Sequence, residues 1–317
     1  MQKLKAWIQI MRPANLLILA AAMYFINVFI LVPVFDKYGM FFTLNALQFF
    51  LLVLSTVLIC AGGYIINDYF DVESDAINKP HRHFIGKIIG TVPALRAYWL
   101  LTGAGVLLGL YLSLMVDNIR LVTIHGIAAV LLYFYSASYK RMPLVGNIVV
   151  AVLIAISILL VGAFEPAIYK LVRAGDYYAA KLCWNFILNY ALFAFFINLA
   201  RELVKDLEDM EGDGKADMRT TALAWGQQTV KIIAASVLFS LLLYSIYLSW
   251  IRDIAQWHML ILFYSIILML SLAGMIIFLF VSFTKKDFHK LSVWLKLTMV
   301  WGLLFMPLYD LLYYPGL

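Results

Sequence analysis

Charge is what this 317-residue chain has least of. Asp, Glu, Lys and Arg make up 13% of it, about half the share of an ordinary soluble domain, which excludes a water-soluble globule of this length. Cysteine is nearly absent too. Cys60 and Cys183 lie far apart in apolar surroundings without a CxxC pair, so neither a disulfide framework nor a zinc site is indicated. There is also no polar stretch long enough for a soluble domain, and residues 1–317 read as one membrane-embedded unit. The formal charge of +6 invites a nucleic-acid reading, but in a membrane protein basic residues mainly record orientation, so no nucleic-acid partner is expected.

What the chain has instead is apolar length. A bilayer core takes roughly 20 apolar residues per helix, and nine such runs are predicted, at 15–34, 47–66, 97–116, 121–137, 145–165, 185–200, 230–250, 259–281 and 293–313. The first continues to Val34, beyond the length of a signal-peptide core, and is read as a retained span. Of the 24 Lys and Arg, about 18 fall on the side of the N-terminus when loops are assigned alternately. That bias puts the N-terminus in the cytoplasm and, after nine spans, the C-terminus outside. The expected fold class is all-α and polytopic. In a prokaryotic host the membrane would be the plasma or inner membrane.

The scarce acidic residues are concentrated at the cytoplasmic ends of spans 2 and 6. Asp68, Asp71 and Asp75 repeat the spacing of Asp206, Asp209 and Asp213. If each helix continues through its motif at about 100° per residue, each trio falls within roughly 60° and forms one stripe. Carboxylates crowded on one face need cations between them, and Asp oxygens are the ligands Mg²⁺ takes together with substrate phosphates. Two facing stripes would hold Mg²⁺ ions and, through them, a diphosphate. Asp209, Glu211, Asp213, Gly214 and Asp217 also imitate a calcium loop, but Thr220 stands where a bidentate Glu is required. A cation-coupled transporter and a non-catalytic lipid-binding or assembly protein are the alternative classes. Transporter sites sit near mid-membrane on inverted repeats, whereas these acids cluster at one surface.

Basic residues accompany the stripes: Lys79 and Arg82 after the first, Lys140 and Arg141 between spans 4 and 5, Arg201 and Lys205 beside the second. Each can neutralise phosphate oxygens that metals leave uncovered. Lys140 and Arg201 are preferred because each stands at the apparent end of a span, while Arg141 and Lys87 read as topogenic charge. His81 and His83 read as loop residues, and His125 as a satisfied core histidine.

Together these residues resemble the UbiA superfamily of intramembrane prenyltransferases. Arg12-Pro13-Ala14-Asn15 is similar to the family's RPxN motif, Asn67 to Asp75 to NDxxDxxxD, and Asn78-Lys79-Pro80 with Arg82 to its continuation. Tyr135-Ser136, Lys140, Pro143-Leu144 and Gly146-Asn147 resemble the stretch joining helices 4 and 5, and Thr220 to Gly226 follows the second acidic motif. The chain departs from the pattern at His83 to Lys87 and at Asp217, beside the substrate entrance. The resemblance implies nine helices around a central cavity and Mg²⁺-dependent transfer of a prenyl group from its diphosphate. By position, Asn67, Asp71 and Asp75 would serve the first metal region, and Asp209 and Asp213 the second, with Asp68 and Asp206 completing the acidic stripes. Lys140 and Arg82 would contact the diphosphate, with Arg12, Asn15, Arg201 and Lys205 on the substrate side. Asp71, Asp213 and Lys140 are the expected catalytic residues, and Glu202 or Asp206 would take the acceptor proton. The stretch 201–213 is most similar to the branch that alkylates a prenylated glycerol phosphate, using a donor such as geranylgeranyl diphosphate. The alternative acceptor is aromatic, a hydroxybenzoate or dihydroxynaphthoate.

Overall fold

The computed structural model describes residues 2–78, 83–173, 175, 177–215, 219–251 and 258–313. In chain order the helices are α1 (Gln2–Ile10), α2 (Pro13–Lys37), α3 (Ala46–Phe70), α4 (Val72–Asn78), α5 (Thr91–Met115), α6 (Ile119–Ala137), α7 (Val145–Ala163), α8 (Ala167–Arg173), α9 (Tyr177–Lys215), α10 (Thr221–Trp225), α11 (Gln227–Ile251), α12 (Met259–Val281) and α13 (Lys285–Tyr313). Among the described residues nine of them, α2, α3, α5, α6, α7, α9, α11, α12 and α13, are long and apolar enough to cross a membrane. Each coincides with a run expected from hydropathy, and the chain is an integral membrane protein.

The differences lie at the polar ends. α9 runs for 39 residues, far past the apolar stretch 185–200, because a helix that is already nucleated adds a hydrogen bond with each further residue and its polar end is supported by packing on α4. Arg201 therefore stands inside a helix rather than at its end. α13 likewise begins at Lys285, ahead of its apolar run. α2 accommodates Pro33 through a π-helical turn at Asn27–Leu31, the widened geometry that local disruption of the i→i−4 ladder favours.

α3 is the most buried span and α6 the least. α3 is started by a reciprocal cap in which Asn45 Oδ1 accepts from Gln48 N and Gln48 Oε1 accepts from Asn45 N, both at 2.9 Å. It lies against α5 through glycine: a Cβ on Gly105 would come within 2.6 Å of Ile59 and 2.8 Å of the Ser55 carbonyl oxygen, the close approach that small residues permit between membrane helices. His125 fills the space over Gly109, with Nε2 3.1 Å from Ser55 Oγ, and is the core residue expected. Cys60 and Cys183 are both free.

Two large apolar cores hold the spans together. One joins α2, α3, α7, α8 and the first half of α9; the other joins the second half of α9 to α11, α12 and α13. Between α7 and α8 the buried Glu165 accepts from the backbone amides of Thr43 (2.8 Å), Leu44 (3.5 Å) and Ala167 (3.3 Å), tying the α2–α3 connection to the α7–α8 turn. Replacing Glu165 by alanine strands those amides and is expected to destabilise the protein by about 2 kcal/mol. Thermal unfolding in detergent checks this, and an unchanged midpoint would show that the tie is dispensable.

Candidate functional site

Six spans, α2, α3, α6, α7, α9 and α13, line a cavity of about 190 Å³. Its long wall is apolar, with Ile18, Ile59, Ile154, Ile158, Phe193 and Leu303 among its residues, and its polar end carries Arg12, Asn15, Tyr64, Asn67, Tyr135, Asn198, Arg201, Glu202, Lys205 and Lys296. The expected central cavity is thus built by six helices, and α5, α11 and α12 buttress them from outside.

The first acidic motif does not continue as one straight helix. α3 ends at Phe70, Asp71 takes a bridging conformation (φ −95°, ψ 11°), and α4 resumes at Val72. Backbone bonds from Asp71 N to Asn67 O (3.0 Å) and from Asp75 N to Asp71 O (2.8 Å) keep the helical register across the kink. The second motif lies wholly within α9, which is helical to Lys215, so Asp209 to Asp213 do not form a calcium-binding loop. α4 packs against α9, which brings the two motifs together.

Lys140 is the cation between them. It lies in a 3₁₀ turn, Tyr139–Arg141, and its ammonium donates to Asp71 Oδ2 while also feeling the charge of Asp213. Burial alone would lower its pKa, but Asp71, Tyr135 and Asp213 outweigh that and the net shift is upward, so Lys140 stays charged. Asp71, Asp209 and Asp213 are all buried. Asn67 donates to Asp71 Oδ2 at 2.8 Å, and its own Oδ1 is buried without a hydrogen-bond partner among the described residues.

The turn that carries Lys140 is positioned by residues that the sequence marks without explaining. A Cβ on Gly146 would come within 2.9 Å of the Tyr139 carbonyl and 3.0 Å of Lys140 Cα, so only glycine lets the turn rest on the start of α7. Leu144 adopts a left-handed backbone (φ 66°), and its N–H donates to Thr221 Oγ1 at 2.9 Å. Thr221 in turn donates to Asn147 Oδ1 (2.6 Å), and Asn147 Nδ2 donates to Asp206 (3.0 Å). This chain of bonds ties α7, α9 and α10 around the Lys140 turn, and gives Asp206 a structural partner.

Asp68 is likewise engaged, in an ion pair with Arg12 at 2.6 Å. Arg12, also left-handed (φ 54°), lies 4.7 Å over the Tyr64 ring, and Asn15 donates to Tyr64 Oη at 3.1 Å. Burial would lower the Arg12 pKa, but Asp68 and Tyr64 raise it further, and the guanidinium remains charged. Glu202 on the cavity wall accepts from Arg201 at 3.0 Å and lies 3.8 Å from Lys205. Arg82, Lys79 and His81 of the first motif's continuation, and Asp217, lie outside the described residues.

Among the described residues no three acidic, histidine or cysteine side chains converge closely enough to form a ready metal cage. The donor set still suits Mg²⁺, which is held by one or two carboxylates plus phosphate oxygens rather than by an all-protein cage. The unpartnered Asn67 Oδ1 beside Asp71 is a hard oxygen donor of the required kind. Sequence reasoning missed Tyr64, Asn198 and Lys296. For Lys296 the sequence does carry a signal, an ionisable residue just inside the apolar run 293–313.

Residues 28–300 match the model of the UbiA prenyltransferase family. A digeranylgeranylglyceryl phosphate synthase of Sulfolobus acidocaldarius is 38% identical over 190 residues, covering 60% of this chain and 62% of its own length. The chain is thus matched over about three fifths of that relative. A solved structure of a digeranylgeranylglyceryl phosphate synthase superimposes with a TM-score of 0.66 at 23% identity, over 98% of this chain and 99% of that one. A UbiA homologue from Archaeoglobus fulgidus bound to GPP and Mg²⁺ superimposes with a TM-score of 0.58 at 14% identity, over 95% and 99%. The two structures share the fold.

Proposed function

The chain belongs to the UbiA prenyltransferase family, and from that membership we propose that it transfers a prenyl group from a polyprenyl diphosphate to a prenylated glycerol phosphate. The observation that carries this reading is the convergence of both acidic motifs on Lys140 next to Asn67, which donates to Asp71 and lines the polar end of the apolar cavity. The name of the Sulfolobus relative supports the acceptor, and the GPP and Mg²⁺ in the Archaeoglobus structure support the donor and the metal.

In this reading Asn67, Asp71 and Asp75 on one side, and Asp209 and Asp213 on the other, would hold Mg²⁺. When bound, the metal supplies charge neutralisation and Lewis acidity at the diphosphate. Asp68 and Asp206 would have to exchange Arg12 and Asn147 to join them. Lys140 stabilises the charge that develops as the C1–O bond of the donor breaks and its electron pair leaves with the diphosphate. The apolar wall holds the isoprenoid tail and keeps water from the cationic C1. The acceptor's hydroxyl oxygen then bonds to C1, forming the ether, and its proton passes to a carboxylate. Glu202 is better placed for that proton than Asp206, because Glu202 lines the cavity and Asp206 is held by Asn147. The basic excess on the N-terminal side supports a cytoplasmic position for the site.

Purified protein in detergent, given radiolabelled geranylgeranyl diphosphate, Mg²⁺ and a panel of glycerol-phosphate, hydroxybenzoate and naphthoate acceptors, is expected to label only geranylgeranylglyceryl phosphate. Chelation by EDTA should stop the reaction and added Mg²⁺ should restore it. Label on an aromatic acceptor instead would refute the choice of acceptor. No transfer to any of them would refute the activity.

A further inference from the structure

We infer that Tyr190, Phe193 and Gly302 close the far end of the central cavity and set the length of the isoprenoid chain that the donor brings into it. The inference rests on the prenyl-transfer reading above and names the residues that limit its donor.

A second cavity, of about 130 Å³, lies between α9, α11, α12 and α13. It begins where the central one ends. Tyr190 and Phe193 of α9 and Gly302 of α13 line both. Along α9 the central cavity is lined from Lys205 back to Tyr190, and the second from Phe193 back to Phe186; along α13 the central cavity takes Lys296 to Leu303, and the second takes Gly302 and Phe305. Both helices therefore pass the two cavities in the same order, leading away from the acidic motifs. Tyr190 precedes Asp209 by nineteen residues, about 28 Å along the axis. A donor held by its diphosphate at the Asp71–Lys140–Asp213 cluster lays its tail along the apolar wall, and the distal end of the chain points at these three residues.

The partition consists of two rings and a glycine. Tyr190 Oη donates to the Gly302 carbonyl oxygen at 3.1 Å, which holds its side chain across the gap between α9 and α13. Phe193 rests on Gly302 itself: a Cβ there would come within 3.1 Å of Phe193 Cε1, so the absence of a side chain lets the ring lie against α13. Beyond the partition the space suits hydrocarbon. Tyr244 donates to Asn189 Oδ1, Ser245 Oγ to the Leu241 carbonyl (2.8 Å) and Ser249 Oγ to the Ser245 carbonyl (2.9 Å). An apolar chain entering there leaves these hydroxyls paired, so it meets no penalty from them. What stops a longer donor is then the partition, and not the chemistry of the space behind it.

The test is steady-state transfer by the full-length protein in Mg²⁺ at saturating geranylgeranylglyceryl phosphate. The donors are geranylgeranyl diphosphate and its homologue one isoprene unit longer, given to wild type, Tyr190→Ala, Ser245→Phe and the double variant. One methylene in an apolar pocket is worth about tenfold or more in kcat/KM. Removing the Tyr190 ring joins the cavities, and is expected to raise kcat/KM for the longer donor relative to the shorter by about tenfold or more. Ser245 lines the second cavity and not the central one, so Ser245→Phe should leave the wild-type ratio and rates within about twofold. In the double variant the new phenyl group refills the space, and the ratio should return most of the way to that of wild type. Melting temperatures identify misfolding; if Tyr190→Ala does not fold, Phe193→Leu opens the same partition and carries the same expectation. An unchanged ratio in the folded opening variant, or lost geranylgeranyl transfer in folded Ser245→Phe, would overturn the assignment. So would a change confined to the preferred chain length of the acceptor, measured at fixed donor. Failure of the wild type with every donor and acceptor would instead sink the functional reading. Thermal shift with the two diphosphates then decides the partition alone: a larger response to the longer one in Tyr190→Ala than in wild type supports it, and equal responses refute it.

Discussion

Asp71→Asn and Asp213→Asn are each expected to lower kcat/KM by about 10³ or more, equivalent to roughly 4 kcal/mol at the transition state. Asparagine keeps the shape of the side chain and an oxygen that can accept from Lys140, so the buried turn at Asp71 remains packed. What it removes is the negative charge that draws a divalent cation to the diphosphate. Because the two aspartates belong to different motifs on α9 and beside α4, loss of either should disable a site that needs both. Asp68→Asn provides the comparison. Its carboxylate is occupied by Arg12, and because asparagine keeps an oxygen that can accept from Arg12, its replacement should cost activity by less than about tenfold, the scale of weakening one hydrogen bond to a charged group. Rates are to be measured alongside melting temperature, so that misfolding is separated from lost chemistry. Undiminished turnover in Asp71→Asn or Asp213→Asn would sink the two-motif arrangement, and an Asp68→Asn defect as deep as theirs would put Asp68 into the metal-binding set.

Lys140→Met should have two effects that arise from one ammonium. With metal and substrate present, kcat should fall by about 10² to 10³, the range found when one preorganised charge-stabilising group is removed. Without metal, the variant leaves Asp71 and Asp213 near each other with no cation between them. Breaking a buried pair costs about 3 kcal/mol or more, and the 17% exposure of the Lys140 side chain places this pair at the low end. The unfolding midpoint in EDTA should therefore drop. Added Mg²⁺ should then raise the midpoint of Lys140→Met more than that of wild type, since a ligand that binds only the folded state stabilises it in proportion to its occupancy. An identical Mg²⁺ response in both proteins would show that Lys140 and the metal do not occupy neighbouring positions.

Asp206 and Glu202 show how far spacing alone can be carried. The repeat of Asp206, Asp209 and Asp213 suggests three equivalent ligands, yet Asp206 lies within the network of Asn147 and Thr221 that seats the Lys140 turn. Glu202, outside the repeat, reaches the cavity. Helical periodicity says which side chains share a face of their own helix. It does not say which neighbouring helix that face meets.

Nine spans and the two acidic clusters were legible from the chain itself, because each depends on residues adjacent in sequence: a run of about 20 apolar residues and a fixed spacing of carboxylates. Three things required the folded molecule. The Arg12–Asp68, Asp71–Lys140 and Asn147–Asp206 pairs join residues 56, 69 and 59 positions apart. The polar half of α9 is helical through Lys215 because packing supports it where hydropathy falls away. Lys296, which composition counts as one more orienting charge, becomes part of the cavity wall only when α13 is laid beside α9. Local composition determines which segments enter the bilayer, since that transfer is set segment by segment; which of their few charges meet is decided by how the helices pack.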